Sequence, residues 1–133
     1  MFIDLDKFKP VNDTYGHAVG DDLLKAVVVR VLNSIREIDT MCRQGGDEFV
    51  VLLPDLSGTQ DVARVSSRIV EAMTTPFSLA GIELSISFSI GVAFYPDDAR
   101  NFDQLLQCAD MAMYEAKQSG RNNCQFYRPS MRP

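Results

Sequence analysis

The chain has 133 residues, 46% of them hydrophobic, and a formal net charge of −5. That length supports one domain with a real core, and that hydrophobicity excludes a disordered segment. The acidic balance argues against a broad basic face for nucleic acid, no apolar run is long enough for a membrane span, and no signal-peptide pattern is present at the start.

Phe2-Ile3-Asp4-Leu5-Asp6 alternates apolar and acidic residues, which predicts a strand with Asp4 and Asp6 on one face. Two carboxylates so placed repel unless a cation or solvent lies between them. Lys7 to His17 reads as a loop and turn, rich in hydrogen-bonding groups and carrying Lys7 and Lys9. His17 is the only histidine, which excludes a histidine metal cluster. A first helix is expected from about Gly20 to Ile38, with Leu24, Val28, Val31 and Ile35 at helical spacing and Asp21 or Asp22 as its cap. Arg36-Glu37-Ile38-Asp39 closes it; by itself, R-x-x-D at a helix end is a surface ion pair of little energetic worth.

Thr40–Gln44 and Phe49–Leu53 then read as the two strands of a hairpin, with Gly45 and Gly46 in its turn and Asp47 and Glu48 at its tip. An isolated acidic turn is most often a plain solvated hairpin. Here a second acidic cluster, Asp4 and Asp6, stands upstream with lysines between the two. Thr59 caps a second helix, with Val62, Val65, Ile69 and Met73 inward and Pro76 beyond its end. Phe77–Leu79 and Ile82–Leu84 form a small hairpin across Ala80-Gly81. Ile86, Phe88, Ile90, Val92 and Phe94 alternate with small residues and predict a half-buried strand. A third helix spans about Asp103 to Ser119, with Leu106, Ala109, Met113 and Ala116 inward and Gly120 at its C-terminal cap. Cys124 to Tyr127 is a last strand. Cys42, Cys108 and Cys124 are odd in number and lack metal spacing, so they read as reduced core or strand residues of a cytoplasmic domain, whether or not its parent protein is attached to a membrane. The order of elements predicts an α/β (α+β) fold, one sheet covered by helices.

Three groups of residues carry a resemblance. The first is Asp4-Leu5-Asp6-x-Phe8-Lys9-x-x-Asn12-Asp13-x-x-Gly16-His17-x-x-Gly20-Asp21, and the second is Arg43-Gln44-Gly45-Gly46-Asp47-Glu48-Phe49. The third comprises Ser89-Ile90-Gly91-Val92-Ala93 and Ala109-Asp110-x-Ala112-Met113-Tyr114-x-Ala116-Lys117-x-x-Gly120-Arg121-Asn122. In this order, over nearly the whole chain, they resemble the GGDEF family of diguanylate cyclases. The resemblance implies a central, mainly antiparallel sheet flanked by helices, like the palm of nucleotidyl cyclases and polymerases. It places a GGDEF domain at residues 1–128 and a tail or linker at 129–133. Members usually continue upstream of the first acidic strand with a helix, so a strand edge and a patch of core are expected to be uncovered. The tail Phe126–Met131 looks like the link that precedes an EAL domain in larger signalling proteins.

The same resemblance implies an activity: two GTP molecules joined into cyclic di-GMP with release of pyrophosphate. Asp4, Asp47 and the Leu5 carbonyl match positions that hold Mg²⁺, with Mn²⁺ as the alternative, and Glu48 matches an acid essential to catalysis that is also a candidate metal ligand. Asn12 and Asp21 match the guanine-reading positions. Lys9, Lys117 and Arg121 match phosphate contacts, and the backbone N–H groups of Lys7 and Phe8 are suited to cradle the terminal phosphates. Arg36 and Asp39 resemble an inhibitory product site for cyclic di-GMP, with Arg68 as a secondary arginine supplied by a neighbouring domain. One domain would hold one GTP, so a homodimer is implied, along with fused sensory or EAL domains in a parent protein.

Overall fold

The structure, a computed structural model, describes residues 1–133. Five strands make one sheet in the order β2-β3-β1-β6-β7. They are β1 (Phe2–Leu5), β2 (Thr40–Gly45), β3 (Glu48–Leu52), β6 (Phe88–Val92) and β7 (Asn123–Phe126). All neighbours are antiparallel except β6 and β7. Between them run α1 (Phe8–Tyr15), α2 (His17–Leu32), α3 (Thr59–Ala72), the hairpin of β4 (Phe77–Leu79) and β5 (Ile82–Leu84), and α4 (Phe102–Gln118). The palm-like α/β architecture expected from the sequence is present. No helix is long and apolar enough to cross a membrane.

The core divides by strand alternation. Ile3, Leu5, Phe49, Val51, Phe88 and Ile90 face α2 and α3, where Leu23, Val27, Val31, Val62, Val65 and Ile69 meet them. Phe2 and Val50 face the other way and pack on Ala109 and Met113 of α4. Helices therefore cover both faces of the sheet, and β6 is buried along its whole length. This corrects the half-buried reading of that strand: its small residues face α4 rather than solvent. A Cβ at Gly91 would overlap the Ala109 carbonyl oxygen and the Met113 nitrogen, and would stand 2.9 Å from the Ala112 carbonyl carbon. The small side chain is what lets the helix backbone approach.

Four further expectations are corrected. Phe8–Tyr15 is helix rather than loop, anchored by the buried Phe8. The next helix begins at His17 and ends at Leu32, so Ile35 and the Arg36–Asp39 segment lie beyond it; its buried face is Leu23, Leu24, Val27 and Val31, with Val28 only half-buried. Asp21 and Asp22 sit inside α2 and cap nothing, Gly16 being the cap. Thr59 is the first residue of α3 after the cap Gly58, and it is Asp61 that accepts the Ser57 N–H at 2.8 Å.

Asn101 caps α4 by accepting the Gln104 N–H at 2.9 Å. At the other end the Arg121 N–H reaches the Ala116 carbonyl at 3.1 Å and the Gly120 N–H reaches Lys117 at 3.3 Å, a Schellman closure. The edges of the sheet are β2 and β7. An apolar groove of about 490 Å³ lies between α3 and β7, lined in part by Ser66, Val70, Cys124 and Phe126.

Candidate active site

Asp4 lies in the middle strand, with Glu48 of β3 directly opposite on one side and Ser89 of β6 on the other. Cα partners in an antiparallel pair share a face, so Asp4 and Glu48 both point toward the α4 side. The Leu5 N–H donates to the Asp47 carbonyl at 3.1 Å, which continues the β1–β3 ladder into the acidic turn. Gly46 turns the chain there with φ +51°, and Arg43 Nε holds its carbonyl at 2.8 Å. Residues 4, 5, 47 and 48 thus meet at one point of the sheet.

Asp4 is only 4% exposed. Its Oδ2 accepts from the Lys117 ammonium, brought in by α4, while its Oδ1 is buried with no partner. Burial is the main force pushing the Asp4 carboxyl up to about 6; the charges of Asp47 and Glu48 add to it, and the Lys117 contact opposes it. Asp6, two residues on, has another occupation. Its Oδ1 accepts from Ser89 Oγ at 2.5 Å, and its Oδ2 from Ser87 Oγ at 2.6 Å and the Asn122 N–H at 3.0 Å. The repulsion expected between the two aspartates is relieved by the Lys117 ammonium on Asp4 and by two hydroxyls and an amide on Asp6. Sequence reasoning missed this clamp; the serines at 87 and 89 were its only signal.

An unpartnered buried carboxylate oxygen is what a divalent cation would satisfy. No three His, Cys, Asp or Glu side chains converge into a ready-made cage. That donor set fits Mg²⁺, which takes one or two carboxylates and completes its shell with water and substrate phosphates. Asp4 offers that free oxygen, with Glu48 opposite it and the Asp47 turn beside it.

The other candidates lie on α1, α2 and the segments that flank α1 and α4. Lys7, left-handed at φ 56°, and Arg121, left-handed at φ 65°, line one polar cavity of about 270 Å³ with Asp6 and Asn122. Phe8 is buried, while Lys9 is exposed on α1 and Asp21 is exposed on α2. Asn12 of α1 packs against Gly20 of α2 with its Oδ1 buried and unpartnered.

Arg36 and Asp39 form a separate feature in the loop before β2. Arg36 Nη2 meets Asp39 Oδ1 at 2.7 Å, and its Nε lies 3.1 Å from both carboxylate oxygens. Nη2 also donates to the Pro54 carbonyl at 2.6 Å. The Asp39 side chain is fully buried beneath the guanidinium. Arg36 and Arg68 line one cavity of about 670 Å³ within the same chain, joined there by Arg64, which sequence reasoning did not single out.

Residues 1–123 match the family described as diguanylate cyclase, GGDEF domain. The chain belongs to that family. It is 44% identical over 131 residues to the bifunctional diguanylate cyclase/cyclic di-GMP phosphodiesterase MucR of Pseudomonas aeruginosa, covering 98% of this chain and 19% of MucR. It is 42% identical over 127 residues to the cyclic di-GMP phosphodiesterase NbdA of the same organism, covering 96% of this chain and 16% of NbdA. The crystal structure of the GGDEF domain of YfiN (TpbB) from P. aeruginosa superposes with a TM-score of 0.93 at 42% identity, over 96% of this chain and 80% of that one. This GGDEF domain therefore spans less than a fifth of the length of the two curated relatives.

The raised Asp4 carboxyl gives the domain a pH signature. From the ordinary 3.8 up to about 6, the folded protein holds a proton that the unfolded chain has released. This group's contribution to stability therefore falls as pH rises through that window. Cation binding needs the ionised form and runs the opposite way. Affinity for Mg²⁺ or Mn²⁺, measured by calorimetry on the GGDEF domain, is expected to rise by about tenfold per pH unit until Asp4 is ionised and then to level off. A flat profile from pH 4.5 to 7 would exclude Asp4 as a ligand.

Proposed function

We propose that this domain is a diguanylate cyclase, a nucleotidyltransferase that joins two GTP into cyclic di-GMP. The observation that carries the reading is the buried, half-unpartnered Asp4 facing Glu48 beside the Asp47 turn. The 3′-hydroxyl of one GTP attacks the α-phosphate of the other, the α–β phosphoanhydride breaks, and pyrophosphate leaves; the reciprocal attack closes the ring. Such chemistry depends on positioning and on charge neutralisation. Mg²⁺, or Mn²⁺ as the alternative, held by Asp4, the Leu5 carbonyl, Asp47 and Glu48, would supply charge neutralisation and acidify the attacking hydroxyl.

The chain's own groups supply the rest. Glu48 polarises the 3′-hydroxyl and is the acceptor for its proton. Asn12 and Asp21 read the guanine edge, the carboxylate accepting from N1–H and the 2-amino group. Lys9, Lys117, Arg121 and the backbone N–H groups of Lys7 and Phe8 hold phosphate oxygens. One domain offers one such set, so two copies must face each other across an approximate twofold axis. Arg36 with Asp39, and Arg68 beside it, bind the product and restrain further turnover. In a parent protein, fused sensory or EAL domains would control the encounter, in the cytoplasm, where GTP is available.

The test is cyclic di-GMP formation from GTP at several protein concentrations. Turnover per domain is expected to rise with concentration and to saturate when two copies are fused to a dimerising coiled coil. Arg36→Ala is expected to remove product inhibition at an unchanged initial rate. No product from the fused dimer would overturn the reading. The name of NbdA favours a second one, since it mentions phosphodiesterase alone. On that reading this domain is a catalytically silent sensor that binds GTP or cyclic di-GMP and regulates an attached domain; tight GTP binding by a fused dimer that makes no product would establish it.

A further inference from the structure

Gly20 lies inside α2 in a conformation open to any residue, where alanine would favour the helix. It is nevertheless buried against α1. A Cβ built there would overlap Asn12 Oδ1, lie 3.0 Å from Asn12 Cγ and lie 3.3 Å from Phe8 Cζ. Every one of these atoms belongs to a side chain. Gly91 is the contrasting case, because its Cβ would strike the backbone of α4. The Asn12 Oδ1 that rests on Gly20 is itself buried with no hydrogen-bond partner. Two local costs, a glycine in a helix and an unsatisfied amide oxygen, coincide at one contact.

We propose that Gly20 is a positioning residue that seats the Asn12 amide at the depth needed to select a guanine nucleotide. The inference rests on the assignment of Asn12 to base recognition above. The bare Cα of Gly20 leaves room for the amide, with the edge of the Phe8 ring alongside. A methyl group there meets side chains alone, displacing the flexible end of Asn12 and crowding Phe8 Cζ at 3.3 Å, so the amide swings toward the base position while the helix stays intact. Asp21, the next residue, keeps its place on the same turn of α2, and the two base contacts fall out of register with each other.

The experiment compares the parent domain, Gly20→Ala, Asn12→Ala and the double variant, each fused to a dimerising coiled coil. Melting temperature, kcat and KM for GTP, and the ratio of GTP to ATP affinity are measured. Gly20→Ala is expected to melt at or above the parent temperature and to raise KM by about tenfold, the loss of one base contact. Its kcat should change far less, and its preference for GTP should narrow. The double variant should match Asn12→Ala alone to within about twofold, because the methyl then meets only the edge of the Phe8 ring. A KM for Gly20→Ala within twofold of the parent overturns the inference. So does a double variant in which the two effects multiply, or one that unfolds, since Gly20 would then serve the helix contact itself. No GTP binding by the parent would remove the proposed function as a whole. Normal GTP binding with an unaffected Gly20→Ala removes only this inference.

Discussion

Asp4→Asn is expected to lower cyclic di-GMP formation by at least about a thousandfold, close to 4 kcal/mol of transition-state stabilisation. The amide is nearly the shape of the carboxylate, so packing between β3 and β6 should survive. What disappears is the anionic oxygen that has no protein partner. Stability should move the other way. Burial and the two neighbouring acids already disfavour the ionised form of Asp4 in the folded chain. A neutral isostere removes that repulsion, and Lys117, whose side chain is 28% exposed, can turn its ammonium to water. The metal-free variant should therefore melt no lower than the parent at pH 7 while losing turnover. Glu48→Gln is the companion and should match the loss. Turnover of Asp4→Asn within tenfold of the parent would sink the assignment of the acidic cluster.

Gly91→Val is expected to destabilise the fold more than any other single change discussed. Overpacking a core commonly costs about 1–3 kcal/mol because side chains can give way. Here the obstructing atoms are the backbone of Ala109, Ala112 and Met113, which move only if α4 moves. The cost should exceed about 3 kcal/mol, or roughly 10 °C in melting temperature for a domain of this size. Lifting α4 also uncovers Phe2 and Val50 and withdraws Lys117 from Asp4. Urea titration of Gly91→Val beside Gly91→Ala checks this, and a loss graded with side-chain size is expected. An unchanged midpoint for valine would mean that α4 is not held at this distance in solution.

The long-period signals were legible in the sequence because core burial writes them directly. Val62, Val65, Ile69 and Met73 are buried as their spacing predicts, and the hairpin across Ala80-Gly81 forms in register. The first helix was not legible. Pro10, Asn12, Asp13 and Thr14 all favour turns, and the segment is helical because Phe8 and α2 give it a surface to pack on. The strand at Phe88–Val92 misled for the opposite reason. Alternation of large and small residues looks the same whether the small side faces water or a close-packed helix.

At the site, the motif spacing marked Asp4, Asp47 and Glu48, and the β1–β3 register brings them together. The pairing of Asp4 with Lys117, 113 residues away, carried no local pattern. Neither did the three hydrogen bonds that occupy Asp6.

The Lys117 ammonium is a built-in counter-ion for Asp4. On the proposed reading, a divalent cation that reaches Asp4 from this side would replace one positive charge with two instead of filling bare negative charge. Loading would then add less positive charge than it would at a bare carboxylate, and the displaced lysine, on its four-carbon tether, would be free to follow the incoming phosphates. Readiness and restraint in this pocket come from one side chain.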